Sequence, residues 1–166
     1  LEGSKYYHDD AVLDAIIRGG YAMIDGQDEN GMYLFRKKDY STWGQIYQPW
    51  CYSRWIRARW LVGDAIPEDA RKRWDEALQL GYGGISRKAM GNVHNIPCHH
   101  SMGLYCAGMV YGRDDWKAQS KAFMKQVCDA QSPNGWWAEH KGPVVSYNFV
   151  YSEALGAYYA MSKDED

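Results

Sequence analysis

No apolar run in this 166-residue chain approaches the length of about eighteen residues that a membrane span requires. Membrane partnership is therefore not expected. Phenylalanine is scarce, three residues against eight Trp and fourteen Tyr, so the rings present mostly combine an apolar face with a polar edge. No run of Lys or Arg is longer than Arg36-Lys37-Lys38 and the formal charge is −2, which lacks the footprint of a nucleic-acid or anionic-membrane binder. No C-x-x-C pair occurs among Cys51, Cys98, Cys106 and Cys128, which excludes the common zinc-ribbon and thioredoxin-like patterns. Buried free thiols are the simplest expectation. A charged-then-apolar leader is missing from the first residues, and Leu1-Glu2-Gly3-Ser4 reads as an appended cloning sequence, leaving 5–166 as one domain.

What is present is an internal repeat. The segment Asp25-Gly26-Gln27-Asp28-Glu29-Asn30-Gly31-Met32-Tyr33 returns as Asp129-Ala130-Gln131-Ser132-Pro133-Asn134-Gly135-Trp136-Trp137, an offset of 104 residues. Half of that, 52, falls on Gln79 and Gly83, so Gln27, Gln79 and Gln131 form one series and Gly31, Gly83 and Gly135 another. Three units follow, about 8–63, 64–112 and 113–162. First helices are expected over 8–25, 67–80 and 113–130. The acidic starts Asp9-Asp10 and Asp114-Asp115 and the placement of Pro67 support them. Second helices are expected over 42–62, 96–111 and 146–162, from apolar residues recurring every three or four positions. No strand is expected, Met32 to Phe35 being at most a short extended stretch.

The Gln131-Ser132-Pro133-Asn134-Gly135-Trp136 turn resembles the Gln-x-x-x-Gly-x-Trp turn of the α/α-toroids, which include polysaccharide lyases, six-hairpin glycosidases and terpene-cyclase-like repeats. The resemblance covers nearly the whole chain and implies an all-α fold of three tandem helical hairpins, half of a toroid. A closed toroid has more hairpins, so the chain is expected to be a fragment or to assemble with copies of itself. The apolar sets Val12, Leu13, Ile16, Ile17, Tyr21 and Tyr151, Leu155, Tyr158, Tyr159, Met161 on the first and last helices suggest a homodimer.

The repeat register aligns Trp43, Asn95 and Tyr147, then Tyr47, His99 and Tyr151, at the starts of the second helices. β-Elimination of a uronate glycan needs the carboxylate neutralised, a base for the adjacent proton and an acid for the leaving oxygen. The toroid lyases divide these tasks among Asn, His and Tyr. The resemblance thus implies Asn95 as carboxylate clamp, His99 or His100 as base and Tyr147 or Tyr151 as acid, with Arg87 in a preceding loop neutralising charge. Trp43, Tyr47, Trp136, Trp137 and Glu139 complete the candidate substrate-binding set.

Each of these residues also has a structural reading. Asn95 near a helix start suits a cap, the histidines suit satisfied buried or surface positions, and Trp136-Trp137 after the repeat glycine suit packing of the turn. Cys98, His99, His100 and Cys106 are metal-ligand types, but adjacent helical residues diverge by about 100° and no second pair has zinc spacing. No metal or cofactor is expected. A glycosidase would need two carboxylates, for which Glu139, followed by His140 and Lys141, leads over Glu29 and Asp39. A terpene cyclase would need an Asp-rich motif, and none is visible. The expected partner is an acidic polysaccharide or oligosaccharide and the expected activity that of a lyase, the alternatives being a non-catalytic glycan- or protein-binding module and a six-hairpin glycosidase using Glu139. Compartment stays open, a lyase being expected in a secreted or periplasmic setting.

Overall fold

The computed structural model describes residues 3–7, 9–139 and 141–165. They form six α-helices with two small antiparallel hairpins, so the chain is mostly helical. The order is α1 (Asp10–Gly26), β1 (Tyr33–Arg36), β2 (Thr42–Ile46), α2 (Pro49–Val62) and α3 (Glu68–Lys88), with a 3-10 turn over Gly63–Ala65. Then come α4 (Asn95–Tyr111), α5 (Asp114–Asp129), β3 (Ala138–Glu139), β4 (Gly142–Pro143) and α6 (Val145–Ser162). Contacts divide the chain into two compact units, residues 1–84 and 85–166, with the division inside α3. No described helix is long and apolar enough to cross a membrane.

The first unit has an aromatic core. Asp9 starts α1 by accepting the Ala11 and Val12 N–H groups on its carboxylate at 3.0 and 3.1 Å. Tyr52 of α2 lies at the centre, its ring 5.7 Å from Tyr33 and 5.5 Å from Tyr82, both edge-on. Its hydroxyl donates to Gly31 O and accepts from Gln27 Nε2 at 2.6 Å, which ties the turn after α1 to the first turn of α2. Trp55 meets Trp74 of α3 edge-on at 5.9 Å.

Two sequence expectations fail in this unit. The second helix does not begin at residue 42, because Thr42–Ile46 pairs with Tyr33–Arg36 and α2 starts only at Pro49. Proline suits a first helical turn, and its ring disfavours helical geometry in the residue before it, so Gln48 is extended. Nor is Gln79-x-x-x-Gly83 a turn, since α3 runs unbroken through it. Glycines in this stretch serve close approach instead. A Cβ on Gly81 would stand 2.0 Å from the Tyr52 hydroxyl, and one on Gly84 2.1 Å from that of Tyr47.

The second unit is built around α4, buried on nearly every side from Asn95 to Gly108. A helix apolar all round must sit between partners, and α4 packs on both α5 and α6. Ser101 and Ser120 join α4 to α5 through hydroxyl and carbonyl bonds of 2.7–3.1 Å, satisfying two hydroxyls in the core. Cys98, Met102, Phe123, Met124, Val127, Trp137, Tyr151, Ala154 and Tyr158 form the apolar cluster. Here too a strand pair appears where only loop was expected, Ala138 opposite Pro143 and Glu139 opposite Gly142.

Candidate functional site

In the second unit the start of α4, the first turns of α6 and β3 converge on one carboxylate. Glu139 is 5 % exposed, and its Oε1 accepts the Asn95 N–H at 2.7 Å and the Tyr151 hydroxyl at 2.9 Å. The first N–H groups of a helix have no partner within it and carry the positive end of its dipole, so a carboxylate there is well placed. The sequence offered Asn95 itself as a cap, beside its reading as a carboxylate clamp. Asn95 is instead the first helical residue, His94 occupies the cap position without capping the helix through its side chain, and a residue 44 positions away does the capping.

Trp137 braces the same cluster. Its ring stacks on Tyr151 at 5.1 Å and 12°, and its indole N–H donates to Val127 O at 2.6 Å. Asn148, which the sequence reading missed, holds the Trp137 backbone: its Oδ1 accepts the Trp137 N–H at 2.7 Å and its Nδ2 donates to Trp137 O at 3.1 Å. The sequence signal was an amide in the first turn of α6, where an Asn side chain finds backbone partners close by.

His99 lies one turn into α4 and is fully buried. Its Nε2 stands 3.1 Å from Val150 O, an oxygen that only accepts, so this nitrogen carries the proton. Glu153 Oε2 is 4.0 Å from the same nitrogen. His100 is buried as well, and Tyr147 is half-buried. Burial, followed by the hydrogen bond and charge of Glu139, pushes the Tyr151 phenol well above its ordinary range. A phenol raised in this way is a weaker acid. Burial first, then the neighbouring Cys128 thiol and Glu139 carboxylate, push the Cys98 thiol up to about 12, and it stays protonated. Among the described residues no three His, Cys, Asp or Glu side chains are grouped to hold a metal.

The remaining candidates lie elsewhere. Trp136 is half-buried and lines an open groove of about 280 Å³ with Trp137, Pro143, Val145, Asn148 and Phe149. Arg87 is exposed in the last turn of α3 and not in a loop. In the first unit, Tyr47 is buried against Gly84, while Trp43 is 63 % exposed on β2. Glu29 is exposed, and Asp39 accepts the Ser41 N–H and hydroxyl, bonds that hold its carboxyl below the usual range. His140 lies outside the described residues.

Compared with known protein families, curated proteins and solved structures, the chain matches none of them.

Proposed function

We propose that the chain is a carbohydrate-binding helical-repeat module, part of an α/α-toroid, whose solvent-facing Trp and Tyr rings hold sugar. One contrast carries the reading. The polar cluster of the second unit is closed on itself, Glu139 bonded to Asn95 N and Tyr151, and His99 to Val150 O, with Glu139, Asn95, Tyr151 and His99 each no more than 8 % exposed. Beside it, the half-buried Trp136 and the 74 % exposed Phe149 present their rings in an open groove. A sugar presents C–H faces that stack on such rings. Soluble glycans added to the intact chain should cause a saturable change in its heat of mixing, and the absence of any such heat with neutral and acidic glycans alike would end this reading.

The second reading is β-elimination of a uronate glycan. It is favoured by Asn95, His99, Tyr151 and Glu139 lying within one unit, with the half-buried Tyr147 at the first turn of α6. It requires the starts of α4 and α6 to open, since the base and one candidate acid are covered. New ultraviolet absorbance from an unsaturated uronate tests it. Self-association belongs to either reading, through the groove that Val12, Leu13 and Ile16 of α1 form with Leu61 and Val62, and sedimentation would measure it.

A further inference from the structure

The β1–β2 hairpin of the first unit carries an unusual tip. Arg36 pairs with Thr42 and Phe35 with Gly44, so Trp43 is the extra residue of a bulge. Gly44 takes a positive φ of 87° and donates its N–H to Thr42 Oγ1 at 2.6 Å. Bulges re-aim side chains, and this one lays the Trp43 ring flat on Phe35, centroids 4.6 Å apart and 15° between planes. One indole face is covered by Phe35, and the residue is still 63 % exposed. Burying a large apolar side chain is stabilising, and this ring forgoes much of that gain.

One of the chain's two three-residue basic runs lies on this tip, the other being Arg71-Lys72-Arg73 on α3. Arg36, Lys37 and Lys38 are all exposed, and Lys37 Nζ stands 5.8 Å from the Trp43 ring centre. The carboxylate within the tip, Asp39, is engaged by Ser41 N–H and Oγ, at 3.1 and 2.6 Å. The turn is held further by Lys37 N–H to Ser41 O at 2.8 Å and Tyr40 N–H to Lys37 O at 3.0 Å. Lys37 thus stands beside the stacked rings, with the exposed Arg36 and Lys38 next to it in sequence, in a chain whose net charge is −2.

We infer that this hairpin is a binding site for an anionic sugar, one ring stacking on Trp43 while its carboxylate or sulfate meets Lys37 and its neighbours. The inference rests on the glycan reading only in choosing sugar over other anions, and it places a subsite in the first unit whether or not the groove near Trp136 is used. The charge on the tip selects acidic over neutral glycans, and the ring selects sugars over simple polyanions. Such binding should weaken as salt screens the cations.

The test is native affinity electrophoresis of the intact chain in gels containing polygalacturonate, dextran, polyglutamate or single-stranded DNA. Polygalacturonate should retard it strongly and the others little. Trp43→Ala should weaken that retardation by about tenfold, the scale of one good aromatic contact. Lys37→Gln with Lys38→Gln, which leaves the ring stack in place, should weaken it several-fold and flatten its salt dependence. Phe149→Ala should leave it unchanged. Parent-like retardation of both hairpin variants overturns the inference, and loss in Phe149→Ala alone would then leave glycan binding standing at the groove. Equal retardation by polyglutamate or DNA overturns the choice of sugar. Retardation by no polysaccharide overturns both this inference and the glycan reading.

Discussion

The turn after α1 and the turn after α5 are built by the same bonds, although 104 residues separate them. In the first, Asp28 N–H donates to Met32 O at 2.8 Å, Gly31 N–H to Asp28 O at 3.0 Å, and Gly31 has φ 81°. In the second, Ser132 N–H donates to Trp136 O at 2.8 Å, Gly135 N–H to Ser132 O at 2.9 Å, and Gly135 has φ 83°. The stretch between them, Gln79 to Gly83, keeps Gln and Gly at the right spacing and stays helical. The difference lies at the position after Gln. Asp28 accepts the Asn30 and Met32 N–H groups and Ser132 accepts that of Trp136, whereas Leu80 has no acceptor to compete with the helix. The acceptor with a positive-φ glycine makes the turn, and the glutamine, although Gln131 Nε2 donates to Gly135 O at 3.0 Å, does not suffice without them.

The two turns differ in their surroundings, and this orders the mutations. Gly31→Ala should be the most damaging. It places a Cβ at positive φ and 2.9 Å from the backbone of Gly81, so left-handed strain of about 1–2 kcal/mol adds to overpacking of about 1–3 kcal/mol. Chemical denaturation should register a loss of several kcal/mol. Glu139→Ala comes next, about 2–4 kcal/mol, because it strands the Asn95 N–H and the Tyr151 hydroxyl in the interior. Glu139→Gln keeps an accepting oxygen and should recover most of that loss, which separates capping from charge. Gly135→Ala, with nothing within 4 Å of its new Cβ, should cost only the strain, about 1–2 kcal/mol. Equal losses at Gly31 and Gly135 would break the comparison. Asp28→Ala and Ser132→Ala should each cost about 1 kcal/mol by thermal melting, with Asp28 the larger because it accepts two N–H groups.

Much of the helical content was legible because apolar periodicity and acidic first turns are local signals, and α4, α5 and α6 begin within a residue or so of expectation. The failures came where a distant partner decides. Tyr52 and Tyr47 explain the glycines of α3, yet neither is near them in sequence. Trp43 was placed in a helix by its aromatic neighbours, but its bulge depends on cross-strand pairing with β1. At the candidate site, the residue types Asn95, His99, Tyr151 and Glu139 were readable. Their burial, and the use of Glu139 as cap for a helix 44 residues earlier, required the packing of α4 against α6.

Mixing the intact chain with polygalacturonate while following both the heat of binding and the absorbance of unsaturated uronate sets the closed polar cluster against the open rings in one experiment. Saturable heat without growing absorbance, unchanged in His99→Gln, is the predicted result. Absorbance that grows with time and vanishes in His99→Gln or Tyr151→Phe would contradict it and make the buried cluster an active site.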